Sequence, residues 1–153
     1  MFWGGFSYNG KLKLQKIKSN IDSIGYTNLL KNAFENNLDL VTFYKNKKIR
    51  FQQDNAPIHC SKYTMNWLKS QDNIKVLKWP AKSPDLNPIE NLWGYLTLKV
   101  YDGKKQYYSI EELEKAILKE WENIDLNMLK KLVTDMPVRI GKVILNKGNF
   151  INR

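Results

Sequence analysis

The sequence predicts an α/β fold, and three observations along the chain support this prediction. A β-type run at 49–53, a helical pattern at 61–70 and a second β-type run at 74–77 follow one another as in a parallel strand–helix–strand crossover. A hairpin pattern at 2–17 precedes them, and the last third of the chain has helical periodicity. The expected architecture is a mixed sheet with helices on its faces and a helical cap at its C-terminal end.

The N-terminal segment predicts two antiparallel strands joined by a tight turn. Asn9-Gly10 tolerates the positive φ angles that a two-residue turn requires. Apolar residues in 12–17 alternate with lysine and glutamine, which gives that strand one buried face. Beyond it, apolar residues from Tyr26 recur at helical spacing and predict an amphipathic helix, whose continuation toward Tyr44 is left open.

Helices are also predicted throughout the second half of the chain. The first has Asn87 as its N-cap and proline at its first position. The next begins after Ser109, which forms a capping-box pattern with Glu112, and a further helix follows it. Gly141 and Gly148 are expected to end the last helical segment. Since no repeat, low-complexity tract or linker divides the chain, a single domain over 1–153 is predicted.

The charge balance favours a polyanionic partner. The chain has 25 Lys plus Arg against 15 Asp plus Glu, a formal net charge of +10. Most of these cations are lysines, which give phosphates point charges rather than bidentate contacts to bases. Sequence-independent binding to nucleic acid is therefore favoured over a membrane surface. A lysine-rich surface without such a partner is the alternative that charge alone leaves open.

Cysteine content and hydropathy exclude several classes of protein. Cys60 is the only cysteine, which excludes an intramolecular disulfide and a thiolate metal cluster. The sequence has no apolar run long enough for a membrane-spanning helix, and its N-terminal residues do not have the pattern of a signal peptide. An intracellular protein without membrane contact is expected.

Two carboxylates lie where an α/β fold can hold them rigidly. Asp54 follows a predicted strand, and Glu90 lies in the first turn of a predicted helix, where the helix dipole favours its ionised form. Both positions also have simpler explanations. Asp54 could form only an Asx turn, and Glu90 could form only a capping box with Asn87. Local chemistry leaves these alternatives open.

Longer motifs around the two acids resemble those of a known family. QQDNAPIH at 52–59 and WPAKSPDLNPIENLWG at 79–94 resemble the paired signatures of the Tc1/mariner transposase catalytic domain, in the DDE superfamily of endonucleases and integrases. FWGGFSYNGK at 2–11 and MPVRIGKVILNKG at 136–148 extend the resemblance along almost the whole chain. The resemblance implies an RNase H-like fold and DNA transposition by metal-dependent strand cleavage and transfer.

The resemblance also assigns roles to individual residues. Asp54 would be the second acid of a catalytic triad and Glu90 the third, which is Tc1-like because mariner enzymes have Asp at the third position. Such triads hold a pair of Mg²⁺ or Mn²⁺ ions, so both residues are expected to be catalytic metal ligands. His59, Lys78 and Lys82 lie in or beside the motifs and are expected to contact DNA. A structural histidine and solvated lysines are the alternatives.

The family pattern further implies segments upstream of the motifs quoted above. In the family, the first catalytic aspartate lies on a strand before the segment that resembles FWGGFS, and a helix-turn-helix DNA-binding region precedes that strand. We therefore expect this chain to lack the first strand, the first aspartate and the N-terminal DNA-binding domain, and not to cleave or join DNA by itself. The open sheet edge is expected to self-associate or to pair with a chain that supplies the strand.

Two alternative functions are compatible with the same sequence. One is an interaction or structural domain with no nucleic-acid role, which would not bind DNA at low salt. The other is a non-catalytic remnant or domesticated module that binds nucleic acid without sequence specificity. Its DNA affinity would fall steeply with salt and would not depend on Asp54 or Glu90. The compartment that the family resemblance implies is the nucleus.

Overall fold

The computed structural model describes residues 1–17, 20–35 and 48–151. The chain divides into two compact units. The first comprises Met1–Gly5 and Leu12–Lys82, and the second comprises Phe6–Lys11 and Ser83–Arg153. The single domain predicted over the whole chain stays a prediction. In the described part of the chain, no helix is both long enough and apolar enough to cross a membrane.

Strand pairing is antiparallel near the N-terminus and parallel further along the chain. In the first unit, β1 (Phe2–Trp3) pairs antiparallel with β4 (Gln15–Lys16), and β5 (Ile49–Phe51) pairs parallel with β6 (Ile74–Val76). In the second unit, β2 (Phe6–Ser7) pairs antiparallel with β3 (Gly10–Lys11). Both kinds of pairing predicted from the sequence are therefore present.

The predicted hairpin exists, but its turn lies one residue earlier than Asn9-Gly10. Ser7 pairs with Gly10, so the two-residue loop consists of Tyr8 and Asn9, and Gly10 already belongs to β3. The Asn9 backbone N–H donates to the Ser7 hydroxyl oxygen at 3.2 Å. This local side-chain bond closes the loop in the observed register, which the Asn-Gly signal alone could not specify.

The first unit contains a helix before β5 and two helices between β5 and β6. They are α1 (Ser23–Glu35), α2 (Pro57–Cys60) and α3 (Lys62–Lys69). The predicted crossover from β5 through α3 to β6 is confirmed, with the strands parallel. The predicted helix from Tyr26 is confirmed as α1, and its continuation toward Tyr44 lies outside the described residues.

Apolar spacing explains how α1 packs in the first unit. Tyr26, Leu29, Leu30 and Ala33 are all buried, and their separations of three and four residues place them on one face of the helix. Tyr26, Leu30 and Leu68 form the centre of a hydrophobic cluster. Partly buried side chains from both parallel strands pack against this cluster, namely Phe51, Ile74 and Val76. One face of β5 and β6 is therefore apolar and covered.

The second unit is mainly helical, as the C-terminal periodicity predicted. Its helices are α4 (Pro88–Val100), α5 (Ile110–Glu122), α6 (Leu126–Thr134) and α7 (Met136–Leu145), with a 3-10 turn at Asp102–Lys104. Leu92, Trp121 and Leu129 are almost fully buried. The Trp93 ring stacks on Trp121 with 5.4 Å between ring centroids, which joins α4 to α5.

The ends of these helices confirm part of the predicted capping. The Ser109 hydroxyl accepts a hydrogen bond from the Glu112 N–H at 3.1 Å, but the Glu112 carboxylate accepts from Tyr108 N–H rather than from Ser109 N–H. Gly141 lies inside α7, so the prediction that it ends a helix was wrong. Gly148 does follow the helix, with φ of +84°, and its N–H donates to Val143 O at 2.9 Å.

Candidate metal and nucleic-acid site

Asp54 follows β5 and is oriented through one of its two carboxylate oxygens. Its Oδ1 accepts the backbone N–H of Ala56 at 3.0 Å and Nδ1–H of His59 at 2.6 Å. Its Oδ2 makes no hydrogen bond with the residues that the structure describes. The side chain is 57% exposed, so this second oxygen remains available to a ligand. The Asx turn considered for Asp54 therefore forms, but it leaves half of the carboxylate unused.

His59 is held in place by a network that the sequence did not reveal. Its ring packs on Tyr26 with 4.2 Å between centroids, and only 18% of the side chain is exposed. The Tyr26 hydroxyl donates to Gln53 Oε1 at 2.9 Å, and Gln53 Nε2 donates to the carbonyl oxygen of His59 at 3.1 Å. Burial raises the pKa of the Tyr26 hydroxyl, which keeps it protonated as a donor. These contacts support the structural role considered for His59, whose contact with DNA stays a prediction.

The loop that follows β6 is tied to the residue next to Asp54. Asn55 Nδ2 donates to the carbonyl oxygen of Trp79 at 2.9 Å. Because β5 and β6 are parallel, their carboxyl ends meet at the same edge of the sheet, and this bond links the two loops there. Lys78 directly precedes Trp79 and is exposed, as is Lys82, whose φ is +52°. Neither lysine forms an ion pair with a described residue, and their contacts with DNA stay predictions.

Glu90 lies in the first turn of α4, within the second unit. Its backbone N–H donates to Asn87 O at 3.1 Å, but its carboxylate makes no hydrogen bond or ion pair with any residue in the described ranges. Asn87 occupies the N-cap position as predicted, yet its side chain does not cap the helix, and its Oδ1 is buried without a partner. The capping box considered for Glu90 is therefore not formed, and both carboxylate oxygens are available.

Residues near the C-terminus hold the segment that leads to Glu90. Arg139 in α7 donates from Nη1 to Asn91 Oδ1 at 2.5 Å and to the carbonyl oxygen of Asp85 at 3.4 Å. The Asp85 side chain is buried, and its Oδ2 accepts the backbone N–H of Ile151 at 3.0 Å. The start of α4 is thus fixed from both sides of Glu90. No sequence pattern indicates these contacts, because they join residues far apart in the chain.

Replacing Arg139 by Ala is expected to lower the free energy of unfolding by about 1.5–3 kcal/mol, because a charged donor is removed and the Asn91 carbonyl is left without its partner. Urea unfolding followed by circular dichroism measures this change. Lys142→Ala on the same helix removes an exposed cation and is expected to change stability by less than about 0.5 kcal/mol. Equal changes in the two variants would contradict a specific role for Arg139.

The donor chemistry of the two acids fits a hard divalent cation. Mg²⁺ and Mn²⁺ prefer oxygen ligands, and each acid has carboxylate oxygen without a partner in the described structure. The described residues include no group of three or more His, Cys, Asp or Glu side chains placed to hold a metal ion. Asp54 lies in the first unit and Glu90 in the second.

Comparison with known families decides which family the chain belongs to. The sequence pattern of the family described as DDE superfamily endonuclease matches residues 3–114. The chain belongs to the DDE superfamily endonucleases. The matched segment includes the motifs around Asp54 and Glu90, so the resemblance noted in the sequence is confirmed.

Individual transposases show the same relationship. The chain is 43% identical to the Tc3 transposase of Caenorhabditis elegans over 152 residues, which cover 99% of this chain and 45% of that protein. It is 32% identical to the Tc1 transposase of the same organism over 151 residues, which cover 97% of this chain and 52% of that protein. The chain therefore spans about half the length of these relatives.

A solved structure shows that the fold of this DDE superfamily member is RNase H-like. The Mos1 mariner paired end complex with Mn matches with a TM-score of 0.81 at 21% sequence identity. The match covers 96% of this chain and 43% of the Mos1 chain. The predicted α/β, RNase H-like fold with helices in its C-terminal part is confirmed.

Proposed function

We propose that this chain acts in DNA transposition as a Tc1-like catalytic domain, with Asp54 and Glu90 as ligands of divalent metal during strand cleavage and transfer. One observation carries the proposal: each acid lies in a family motif, after a strand or in the first turn of a helix, and keeps carboxylate oxygen without a partner in the described residues. The amino-acid types agree, since the third acid of the Tc1 branch is Glu.

Different residues of the chain position the two proposed metal ligands. His59 Nδ1–H and the Ala56 N–H both donate to Oδ1 of the Asp54 carboxylate, which leaves Oδ2 without a hydrogen-bond partner among the described residues. Glu90 lies in the first turn of α4, and its carboxylate makes no hydrogen bond or ion pair with a described residue. When bound, Mg²⁺ or Mn²⁺ would supply activation of the attacking oxygen and stabilisation of the leaving oxygen in an in-line phosphodiester displacement.

DNA is the proposed partner. The formal charge of +10 favours a polyanion, and the Mos1 relative was solved as a paired end complex. Lys78, Lys82 and His59 are proposed contacts to the DNA backbone, and Lys78 lies next to Trp79, whose carbonyl oxygen is bonded to Asn55. The non-catalytic alternative is not favoured, because the family match retains both acidic motifs.

Iron-mediated cleavage of the polypeptide tests the metal ligands without requiring catalytic activity. Fe²⁺ binds at oxygen-ligand sites and, with ascorbate and peroxide, cuts the backbone nearby. We expect cuts beside Asp54 and beside Glu90 that excess Mn²⁺ suppresses. Asp54→Asn and Glu90→Gln should each remove the cuts beside the substituted residue.

Matched carboxylates elsewhere in the chain provide the controls. Asp72 is an exposed turn residue before β6, and Glu111 is an exposed acid in the first turn of α5. Asp72→Asn and Glu111→Gln should leave the cutting pattern unchanged. Cuts that persist in both Asp54→Asn and Glu90→Gln would show that other residues bind the metal, and the proposed ligands would be wrong.

A further inference from the structure

Two cations lie directly opposite each other on the parallel strand pair of the first unit. Arg50 in β5 is the register partner of Lys75 in β6, and both residues are exposed. Their strand neighbours Phe51, Ile74 and Val76 pack against the hydrophobic cluster on the other side. Because side chains alternate between the two faces of a strand, Arg50 and Lys75 share the uncovered face.

Neither cation of this pair has an acidic partner within ion-pair distance in the described part of the first unit. Neither Arg50 nor Lys75 makes an ion pair or a side-chain hydrogen bond with a described residue, and the preceding Lys48 is also exposed. Adjacent strands are about 4.8 Å apart, so the two charges repel each other across the pair. Such an arrangement does not stabilise the fold, but an anion bound between the two side chains would relieve the repulsion.

The position of the pair indicates which anion fits. Arg50 lies four residues before Asp54 on the same segment, which corresponds to at most about 14 Å of extended chain. A DNA strand near Asp54 would bring several neighbouring phosphates within that distance. Guanidinium and ammonium groups both donate to phosphate oxygens.

We propose that Arg50 and Lys75 bind the phosphate backbone of DNA on this sheet face, outside the family motifs. The inference rests on the proposed function to the extent that DNA is the partner. The same two side chains are then expected to lower the stability of the folded protein and to strengthen its binding to DNA. Two measurements with opposite expected signs therefore test it.

The first measurement is DNA affinity as a function of salt, by fluorescence anisotropy with a labelled duplex. The wild-type affinity should fall steeply with salt. Arg50→Gln combined with Lys75→Gln should reduce the slope of log affinity against log salt by about 0.9 for each phosphate that these side chains neutralise in the wild type. The second measurement is thermal unfolding, in which the same double variant should show a Tm about 1–3 °C higher because the repulsion is removed.

Two control proteins separate this site from the effect of net charge. Arg50→Lys combined with Lys75→Arg keeps both charges and should keep the wild-type salt slope. Lys115→Gln combined with Lys119→Gln removes two exposed cations from α5, where Glu111 and Glu122 lie nearby along the helix, and should also leave the slope unchanged.

The outcomes distinguish this inference from the proposed function. A wild-type protein without salt-dependent DNA binding would overturn DNA as the partner. Wild-type binding with an unchanged slope in the Arg50→Gln/Lys75→Gln protein would overturn only the phosphate site, as would an equal reduction in the Lys115→Gln/Lys119→Gln control. A lower Tm or unfolding of the Arg50→Gln/Lys75→Gln protein would also overturn it, because the two cations would then be supporting the sheet.

Discussion

In a polypeptide that also contains the first catalytic aspartate of the family, replacing Asp54 by Asn is expected to lower the rate of metal-dependent DNA nicking by about a thousandfold or more, equivalent to about 4 kcal/mol in activation free energy. Asn keeps the side-chain oxygen that accepts the Ala56 N–H, so the Asx turn should persist. It lacks the negative charge that a divalent cation requires. Glu90→Gln is expected to lower the rate to the same extent, since the start of α4 does not depend on the Glu90 carboxylate.

The measurement is the single-turnover rate of nicking of a labelled duplex in Mn²⁺ and in Mg²⁺ at low salt, with a polypeptide that supplies the first aspartate of the family together with this chain. Thermal unfolding should show that both variants remain folded. Asp72→Asn and Glu111→Gln change equivalent groups at exposed positions and should retain the wild-type rate. A folded Asp54→Asn or Glu90→Gln protein that nicks at the wild-type rate would show that the acid is not catalytic.

The largest expected decrease in stability comes from Trp121→Ala in the second unit. Trp121 is fully buried and stacks on Trp93, so its removal leaves a large cavity between α4 and α5. Substitutions of this kind cost about 3–5 kcal/mol. Since whole domains are stable by only about 5–15 kcal/mol, the helices of this unit should unfold at much lower urea concentration.

Circular dichroism during urea titration measures this effect. Tyr108 provides the matched control, because its ring is 88% exposed and belongs to the segment just before α5. Tyr108→Ala is expected to change the free energy of unfolding by less than about 0.5 kcal/mol. If Trp121→Ala were as stable as Tyr108→Ala, the packing described between α4 and α5 would be wrong.

Elements with strong local patterns could be predicted from the sequence. The crossover from β5 to β6 combines β-type runs, a helical period and a proline after Asn55-Ala56, and it forms as expected. The sequence pattern predicts the hairpin turn one residue too late, because a hydrogen bond to the Ser7 hydroxyl selects the observed register. Gly141 was misassigned because its helix is fixed by surrounding apolar residues rather than by a single glycine.

The residues that support the two acids could not be predicted in the same way. Asp54 and Glu90 are predictable because they lie inside motifs. In contrast, Tyr26 is hydrogen-bonded to Gln53, 27 residues away in the sequence, and Arg139 to Asn91, 48 residues away. No local period encodes such pairs. Arg50 and Lys75 likewise lie opposite each other only because two strands that are separate in the sequence pair in this register.

The stacked indoles of Trp93 and Trp121 give the second unit an intrinsic spectroscopic signal of its own. The chain has five tryptophans, and the other three, Trp3, Trp67 and Trp79, belong to the first unit. Two indoles with 5.4 Å between centroids couple their electronic transitions and produce a paired circular-dichroism band that isolated indoles do not show. The amplitude of that band would report the integrity of the second unit alone, so spectroscopy without any added dye could follow whether the two units lose their structure together or in sequence.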